Sequence, residues 1–169
     1  MGSDTVNSFD DEVFHLGGSW GKKDFFIERK DNTITVEAVK EAFDPLLDFI
    51  SEYLIKNQCS KQVKAEIRLA VEEIFVNICS YAYEPGNGEA RISCRVVEDQ
   101  SYILIQFTDT GIPFNPLHKE TPDITGKQFE NKQGGFGIHL VKQVMDEVTY
   151  EYRDGMNILR IKRFFENKG

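Results

Sequence analysis

The sequence predicts an α+β fold, a two-layer sandwich in which a mixed, mostly antiparallel sheet carries helices on one face. Three observations support this prediction. Two segments repeat apolar residues with a helical period, several short segments alternate like strands, and turn residues join successive strands as hairpins. At 169 residues the chain is long enough to bury one core. We expect a single domain at 23–169 and a flexible N-terminal segment at 1–22.

The first predicted elements are two strands and a helix. Residues 24–29 have β character, and residues 33–36 alternate apolar with polar side chains. Asp44 is expected to cap a helix with Pro45 at its first position, because proline suits the first helical turn. We expect this helix to end near Asn57.

The segment 64–83 is predicted to form the central amphipathic helix. Ser60 lies where a helix cap is expected, and the Pro85-Gly86 turn would end the helix. Apolar residues recur along this segment at nearly the helical period, at Ile67, Val71, Ile74, Ile78 and Ala82. Beside this stripe, Glu73 and Asn77 are four residues apart and therefore share one helix face.

Glu73 and Asn77 carry the first chemical signal. The amide oxygen of Asn77 suits a hard cation such as Mg²⁺, and the carboxylate of Glu73 can orient or deprotonate a nucleophile. An ordinary polar shoulder on a core helix is the alternative interpretation of this pair.

Two hairpins are expected in the C-terminal half. Residues 90–97 and 102–108 alternate and form the first hairpin. Residues 148–153 and 156–162 form the second, joined by the strong turn signal Asp154-Gly155.

Two glycine-containing segments lie between these hairpins. Asp109 follows a strand, where its carboxylate can accept a hydrogen bond from an exocyclic amine, and Gly111 would let a flat ring approach the backbone. Gly134-Gly135-Phe136-Gly137 opens a second amphipathic helix, where N–H groups and the helix dipole favour an anion such as phosphate. This segment is neither a P-loop nor a Rossmann fingerprint. A plain turn and a plain helix entry are the alternatives.

Charge and cysteine content exclude several classes. The formal net charge of −8 argues against direct nucleic-acid binding and against docking to anionic membranes. The three cysteines form no CxxC or Cys/His cluster, so neither a disulfide framework nor a zinc site is predicted. No signal peptide or long apolar run is present, and we expect a cytoplasmic protein.

The order of these features resembles a known superfamily. Glu-x3-Asn on a helix, Asp-x-Gly after a strand and Gly-x-Gly into a helix follow one another as in the ATP-binding domains of gyrase, heat-shock chaperones, histidine kinases and mismatch-repair ATPases, the Bergerat fold. The chain is most similar to the small single-domain branch, the anti-sigma factor serine/threonine protein kinases of bacteria. Over about residues 33–163, LAVEEIFVNICSYAY resembles the N-box of that branch, and DTGIPFNP and GGFGIHLVKQVMDEV resemble its glycine boxes.

The resemblance implies a role for each matched residue. Glu73 matches the catalytic base, and Asn77 matches the Mg²⁺ ligand of the nucleotide site. Asp109 matches the acceptor of the adenine amine, with Gly111 beneath the ring. The loop at 115–133 matches the ATP lid. Further candidate contacts to the nucleotide lie in the glycine boxes and in this loop: Phe114, Lys127, Lys132, Gly134, Gly135 and Gly137.

The implied function is an ATP- and Mg²⁺-dependent kinase that sequesters a sigma factor and phosphorylates an anti-anti-sigma partner, with a homodimer as the expected assembly. Tyr81 departs from the branch, which usually has histidine there, and this bears on how the nucleophile is positioned. One rival is a nucleotide-gated protein-binding module without kinase turnover. Others are an ATPase relative of the histidine kinases and an unrelated α+β domain.

Overall fold

Six strands form one sheet in the computed structural model, which describes residues 25–118 and 136–165. In chain order the strands are β1 (Ile27–Lys30), β2 (Thr33–Glu37), β3 (Glu89–Val97), β4 (Tyr102–Asp109), β5 (Glu147–Arg153) and β6 (Met156–Phe164). Across the sheet they lie in the order β1-β2-β3-β4-β6-β5, so β6 inserts beside β4. The α+β prediction is confirmed, but all pairings of these strands are antiparallel, so the sheet is not mixed.

Three helices accompany the sheet: α1 (Phe43–Lys56), α2 (Lys61–Tyr81) and α3 (Phe136–Val144). The predicted cap of α2 is confirmed, because the Ser60 hydroxyl accepts a hydrogen bond from the backbone N–H of Val63 at 3.2 Å. The predicted cap of α1 is wrong. A 3₁₀ turn at Lys40–Ala42 leads straight into α1, and Asp44 lies inside the first helical turn instead of at the cap.

The core lies between the helices and one face of the sheet. Alternate residues of β4 point toward the helices and are buried, as Ile103, Ile105 and Phe107 show. The predicted apolar stripe of α2 meets them, and Phe75 of α2 is fully buried beside the ring of Phe43. This packing fixes α2 over the sheet and holds the adjoining face of the helix at the end of β4.

A partly buried ion-pair cluster ties α2 to the last strand. The Arg163 guanidinium on β6 donates to Glu66 of α2 at 2.7 Å and to Asp146, before β5, at 3.1 Å. A guanidinium that serves two carboxylates fixes their relative positions as well as adding stability. The cluster therefore orients α2 along the sheet.

The second predicted hairpin turn is confirmed. Asp154 and Gly155 have φ angles of 53° and 76°, as a two-residue turn with the favoured twist requires. No helix among the described residues is both long and apolar enough to cross a membrane.

Candidate functional site

A cleft opens between the C-terminal half of α2, the ends of β4 and β6, and the segment that follows β4. It holds about 500 Å³ of empty space, part of it open to solvent. Most of its wall is apolar, and the carboxylate or carboxamide side chains on it are Asn77, Asp109 and Asn157. A few convergent polar groups in an apolar cleft are the usual form of a small-molecule site.

Asp109 is the last residue of β4, and only one of its two carboxylate oxygens accepts hydrogen bonds from the described residues. Oδ1 accepts hydrogen bonds from the backbone N–H of Gly111 and from the Asn157 amide, each at 2.9 Å. No hydrogen bond from the described residues reaches Oδ2, so this oxygen is available as an acceptor. The side chain is only 7% exposed, and burial raises the pKa of Asp109 while the bonds from Asn157 and Gly111 lower it.

Asn157 is the site residue that the sequence analysis missed. It lies on β6 directly opposite Asp109 and is 6% exposed. Its Nδ2 donates to Asp109 and to the Ile112 carbonyl at 3.0 Å. Its Oδ1 accepts from the Phe114 N–H at 3.1 Å and from the Tyr150 hydroxyl at 2.6 Å. The available signal was an amide at an inward-facing position of an apolar strand, where a polar group needs partners.

The turn after Asp109 is fastened to the end of α2. Ile112 donates its backbone N–H to the Ala82 carbonyl at 2.8 Å. The Tyr83 hydroxyl accepts from the Thr110 N–H at 2.9 Å. A Cβ added at Gly111 would lie 2.2 Å from the Ala82 carbonyl oxygen, so only glycine permits this close approach.

Glu73 and Asn77 lie one turn apart on α2, and both are half-buried. Neither side chain hydrogen-bonds to any other described residue. Gly137 of α3 lies against Glu73, since a Cβ at this glycine would meet the Glu73 Oε2 atom at 2.0 Å. The absence of a side chain at Gly137 thus leaves space at the carboxylate.

The structure brings together many of the predicted site residues. Asn77, Asp109 and Phe114 line one cleft. Gly111 contacts the end of α2 beside this cleft, and Glu73 is one turn from Asn77. The remaining candidates fall outside the described residues, and their roles stay predictions: Lys127, Lys132, Gly134 and Gly135.

Tyr81 and Phe114 form an aromatic wall of the cleft. Their ring centroids are 6.2 Å apart with an interplanar angle of 37°, and both side chains line the cleft. Tyr81 stands where the kinase branch that this sequence resembles usually has histidine. It therefore contributes an apolar ring face to this cleft.

The oxygen ligands present suit a metal that arrives with a nucleotide. No group of three or more His, Cys, Asp or Glu side chains within the described part of the chain could hold a metal. Mg²⁺ commonly takes one or two protein oxygens and completes its shell with phosphates and water. The unengaged Asn77 amide fits that pattern.

Comparison with known proteins agrees with this arrangement. The model of the histidine kinase-like ATPase domain matches residues 36–163, and the chain belongs to this family. It is similar to serine/threonine-protein kinase BtrW of Bordetella bronchiseptica, with 22% identity over 132 residues, 78% of this chain and 92% of BtrW.

Serine-protein kinase RsbW gives shorter matches. The RsbW proteins of Bacillus cereus and Bacillus mycoides are 27% and 29% identical over 99 and 101 residues. Each match covers 57% of this chain and 62% of RsbW, so the chain spans less than two thirds of the RsbW length. The predicted resemblance to the kinase branch of the ATPase superfamily is confirmed by these relatives.

Proposed function

We propose that the chain is an ATP-binding serine/threonine protein kinase and anti-sigma factor that sequesters a sigma factor and phosphorylates an anti-anti-sigma partner in the cytoplasm. Membership of the ATPase family and the kinase names of the relatives support this proposal. The observation that carries it is the unengaged pair of Glu73 and Asn77, one helical turn apart on α2, of which Asn77 lines the cleft that also contains Asp109.

Base recognition is assigned to Asp109. Its free Oδ2 accepts a hydrogen bond from the exocyclic amine of adenine, and Gly111 is assigned the position beneath the ring. Guanine presents a carbonyl oxygen where adenine has the amine. An ionised carboxylate repels that oxygen, so we expect the site to select adenine.

Phosphate and metal binding are assigned to the end of the cleft opposite Asp109. Asn77 would hold Mg²⁺ through its amide oxygen, and the bound ion would supply positive charge against the phosphates. Gly137 at the start of α3, and Gly134 and Gly135 before it in the sequence, are assigned to phosphate binding, because backbone N–H groups at a helix start favour an anion.

Glu73 is assigned the role of general base. Its carboxylate accepts the proton of a serine or threonine hydroxyl on the partner as the oxygen of that hydroxyl attacks the γ-phosphorus. The bond from the γ-phosphorus to the β–γ bridging oxygen breaks, and ADP leaves with the electron pair of that bond. The phosphate gained by the partner adds negative charge at the interface and weakens the complex. Phosphorylation would in this way switch the chain between its two partners, and a homodimer is the proposed assembly.

A second candidate is a nucleotide-gated protein-binding module of the same fold. The aromatic pair of Tyr81 and Phe114 favours it, because the branch usually has histidine at the Tyr81 position. Such a protein would bind ATP and a partner without transferring phosphate.

A transfer assay separates the two candidates. Radiolabelled ATP with Mg²⁺ and an anti-anti-sigma partner should label the partner, and Glu73→Gln should lower the labelling rate by about 100-fold or more. Glu72→Gln is the matched control, because Glu72 is the exposed neighbour on the same helix. An unlabelled partner despite ATP binding would favour the module, and undiminished labelling by Glu73→Gln would exclude Glu73 as the base.

A further inference from the structure

Asn157 joins three parts of the cleft wall through one side chain. It bonds to Asp109 at the end of β4, to Tyr150 on β5 and to the backbone of Ile112 and Phe114 after β4. Four hydrogen bonds at 2.6–3.1 Å use the whole donor and acceptor capacity of this buried carboxamide, and Nδ2 also makes a longer contact to the Gly111 carbonyl at 3.4 Å.

The chemistry of these partners fixes which way the Asn157 amide points. The Phe114 N–H can only donate, so the atom that it meets is the oxygen. The Ile112 carbonyl can only accept, so the atom that it meets is the nitrogen. The nitrogen is therefore also the atom that faces the Asp109 carboxylate. A flipped amide would lose the bonds to Phe114, Ile112 and Asp109, and only the Tyr150 hydroxyl, which can also accept, would still find a partner.

We propose that Asn157 is a positioning residue for base recognition: it holds Asp109 as an acceptor-only carboxylate with Oδ2 free for the adenine amine, and it fixes the Ile112–Phe114 backbone beside it. This inference rests on the proposed function, since it assumes that Asp109 receives the base. Asn157 acts through Asp109 and is given no contact to the nucleotide.

The electrostatics of the pair agree with this role. Burial is the largest influence on the pKa of Asp109 and raises it, and the hydrogen bond from Asn157 is the largest influence that lowers it. The other titratable side chains that line the described cleft are Tyr81 on α2 and Tyr150 on β5. Burial raises the pKa of Tyr150, so its phenol stays protonated and keeps donating to Asn157.

The test compares ATP with inosine triphosphate, which has a carbonyl oxygen in place of the adenine amine. Calorimetry should show that Asn157→Ala and Asn157→Asp each lower the preference for ATP by about tenfold, the size of one lost hydrogen bond to a charged group. Asn157→Asp sets two carboxyl groups side by side. One of them then stays protonated to higher pH and can donate to the inosine carbonyl.

A pH series supplies a second readout. Protonation removes the acceptor from Asp109, so ATP affinity falls as the pH falls through the pKa of this carboxyl. Both Asn157 variants should move the midpoint of that fall to higher pH, because each removes the amide donor that lowers the pKa. A merely structural role predicts an equal loss of ATP and inosine triphosphate affinity, with the pH midpoint unchanged.

Tyr150→Phe keeps the inference testable even if the Asn157 variants do not fold. It removes one donor to the Asn157 oxygen and leaves the bond to Asp109, so the ATP preference should fall about two- to threefold. Tyr152→Phe is the control, because this tyrosine is 48% exposed on the same strand and should have no effect. An unchanged preference in Tyr150→Phe and in every folded Asn157 variant overturns the inference.

The outcome for the wild-type protein separates this inference from the proposed function. If the wild-type protein does not bind ATP, the proposed function fails. If it binds ATP with a strong preference over inosine triphosphate and the variants keep that preference, only the role of Asn157 fails.

Discussion

The two ends of the cleft are built differently. At the end proposed to bind the base (the base end), the Asp109 carboxylate is tied by hydrogen bonds to Gly111 and Asn157. At the end proposed for catalysis, Glu73 and Asn77 make no side-chain hydrogen bond to the described residues. Because both are half-buried, water can satisfy them until a ligand binds. The comparison indicates that hydrogen bonds fix the polar group at one end, whereas the two polar side chains at the other end are left open.

Two glycines show the same contrast. A Cβ at Gly111 would collide with the Ala82 backbone, which is fixed at the end of α2. A Cβ at Gly137 would collide with the far end of the Glu73 side chain, which can rotate away. We therefore expect Gly111 to be required for stability and Gly137 to be required for activity.

Gly137→Ala should produce the largest effect on activity. The new methyl group displaces the Glu73 carboxylate, and phosphate transfer should fall about 100-fold, as it does when a general base is lost. Stability should change by less than about 1 kcal/mol, because alanine favours the helix. The transfer assay and a thermal melt measure the two effects, and full transfer at normal stability would contradict the expected displacement.

Gly111→Ala should have the opposite effect, a loss of stability instead of a specific loss of activity. The clash with the Ala82 carbonyl oxygen forces a backbone shift, and overpacking of this kind costs about 1–3 kcal/mol of unfolding free energy. Urea denaturation of the two alanine variants side by side measures the difference. If Gly111→Ala were as stable as the wild-type protein, the proposed distinction between a fixed and an open end of the cleft would be contradicted.

Asn77→Ala should affect only the metal-dependent part of nucleotide binding. We expect about a tenfold loss of ATP affinity with Mg²⁺, which corresponds to about 1.4 kcal/mol, since a protein ligand is lost. Titrations in a chelator serve as the control, because wild-type and variant proteins should then bind alike. An equal loss with and without Mg²⁺ would assign Asn77 to the nucleotide itself.

Tyr83→Phe should have the smallest effect. The hydroxyl accepts from the Thr110 N–H and donates to the Glu89 carbonyl at 2.6 Å, and its loss should cost about 1 kcal/mol of stability. Chemical denaturation measures this cost, with the exposed Tyr152→Phe as the matched control. No difference between the two variants would show that Tyr83 does not fasten the base end.

Local signals in the sequence predicted much of the fold. The Ser60 cap and the Asp154-Gly155 turn depend on a few neighbouring residues, and both are confirmed. The start of α1 failed because the 3₁₀ turn at Lys40–Ala42 runs into the helix, which leaves no position for a capping Asp44. Pro45 suits any position in a first turn and did not locate the helix start.

The residues of the candidate site also divide into those that local sequence signals predict and those that depend on strand pairing. Glu73 and Asn77 could be predicted because helical spacing alone places them together. Asn157 could not, because it lies 48 positions from Asp109 and meets it only through the register of β4 and β6. Tyr83 was missed for the same reason, since it meets Thr110 only after the strands have paired.

Calorimetry with ATP and GTP in the presence of Mg²⁺, on the wild-type protein and Asp109→Asn, tests the central claim that this cleft binds an adenine nucleotide through Asp109. The account predicts a clear preference of the wild-type protein for ATP. It also predicts about a 10- to 100-fold loss of ATP affinity in Asp109→Asn, because an amide donor then faces the adenine amine. Equal wild-type affinities for ATP and GTP, or undiminished ATP binding by Asp109→Asn, would contradict the claim.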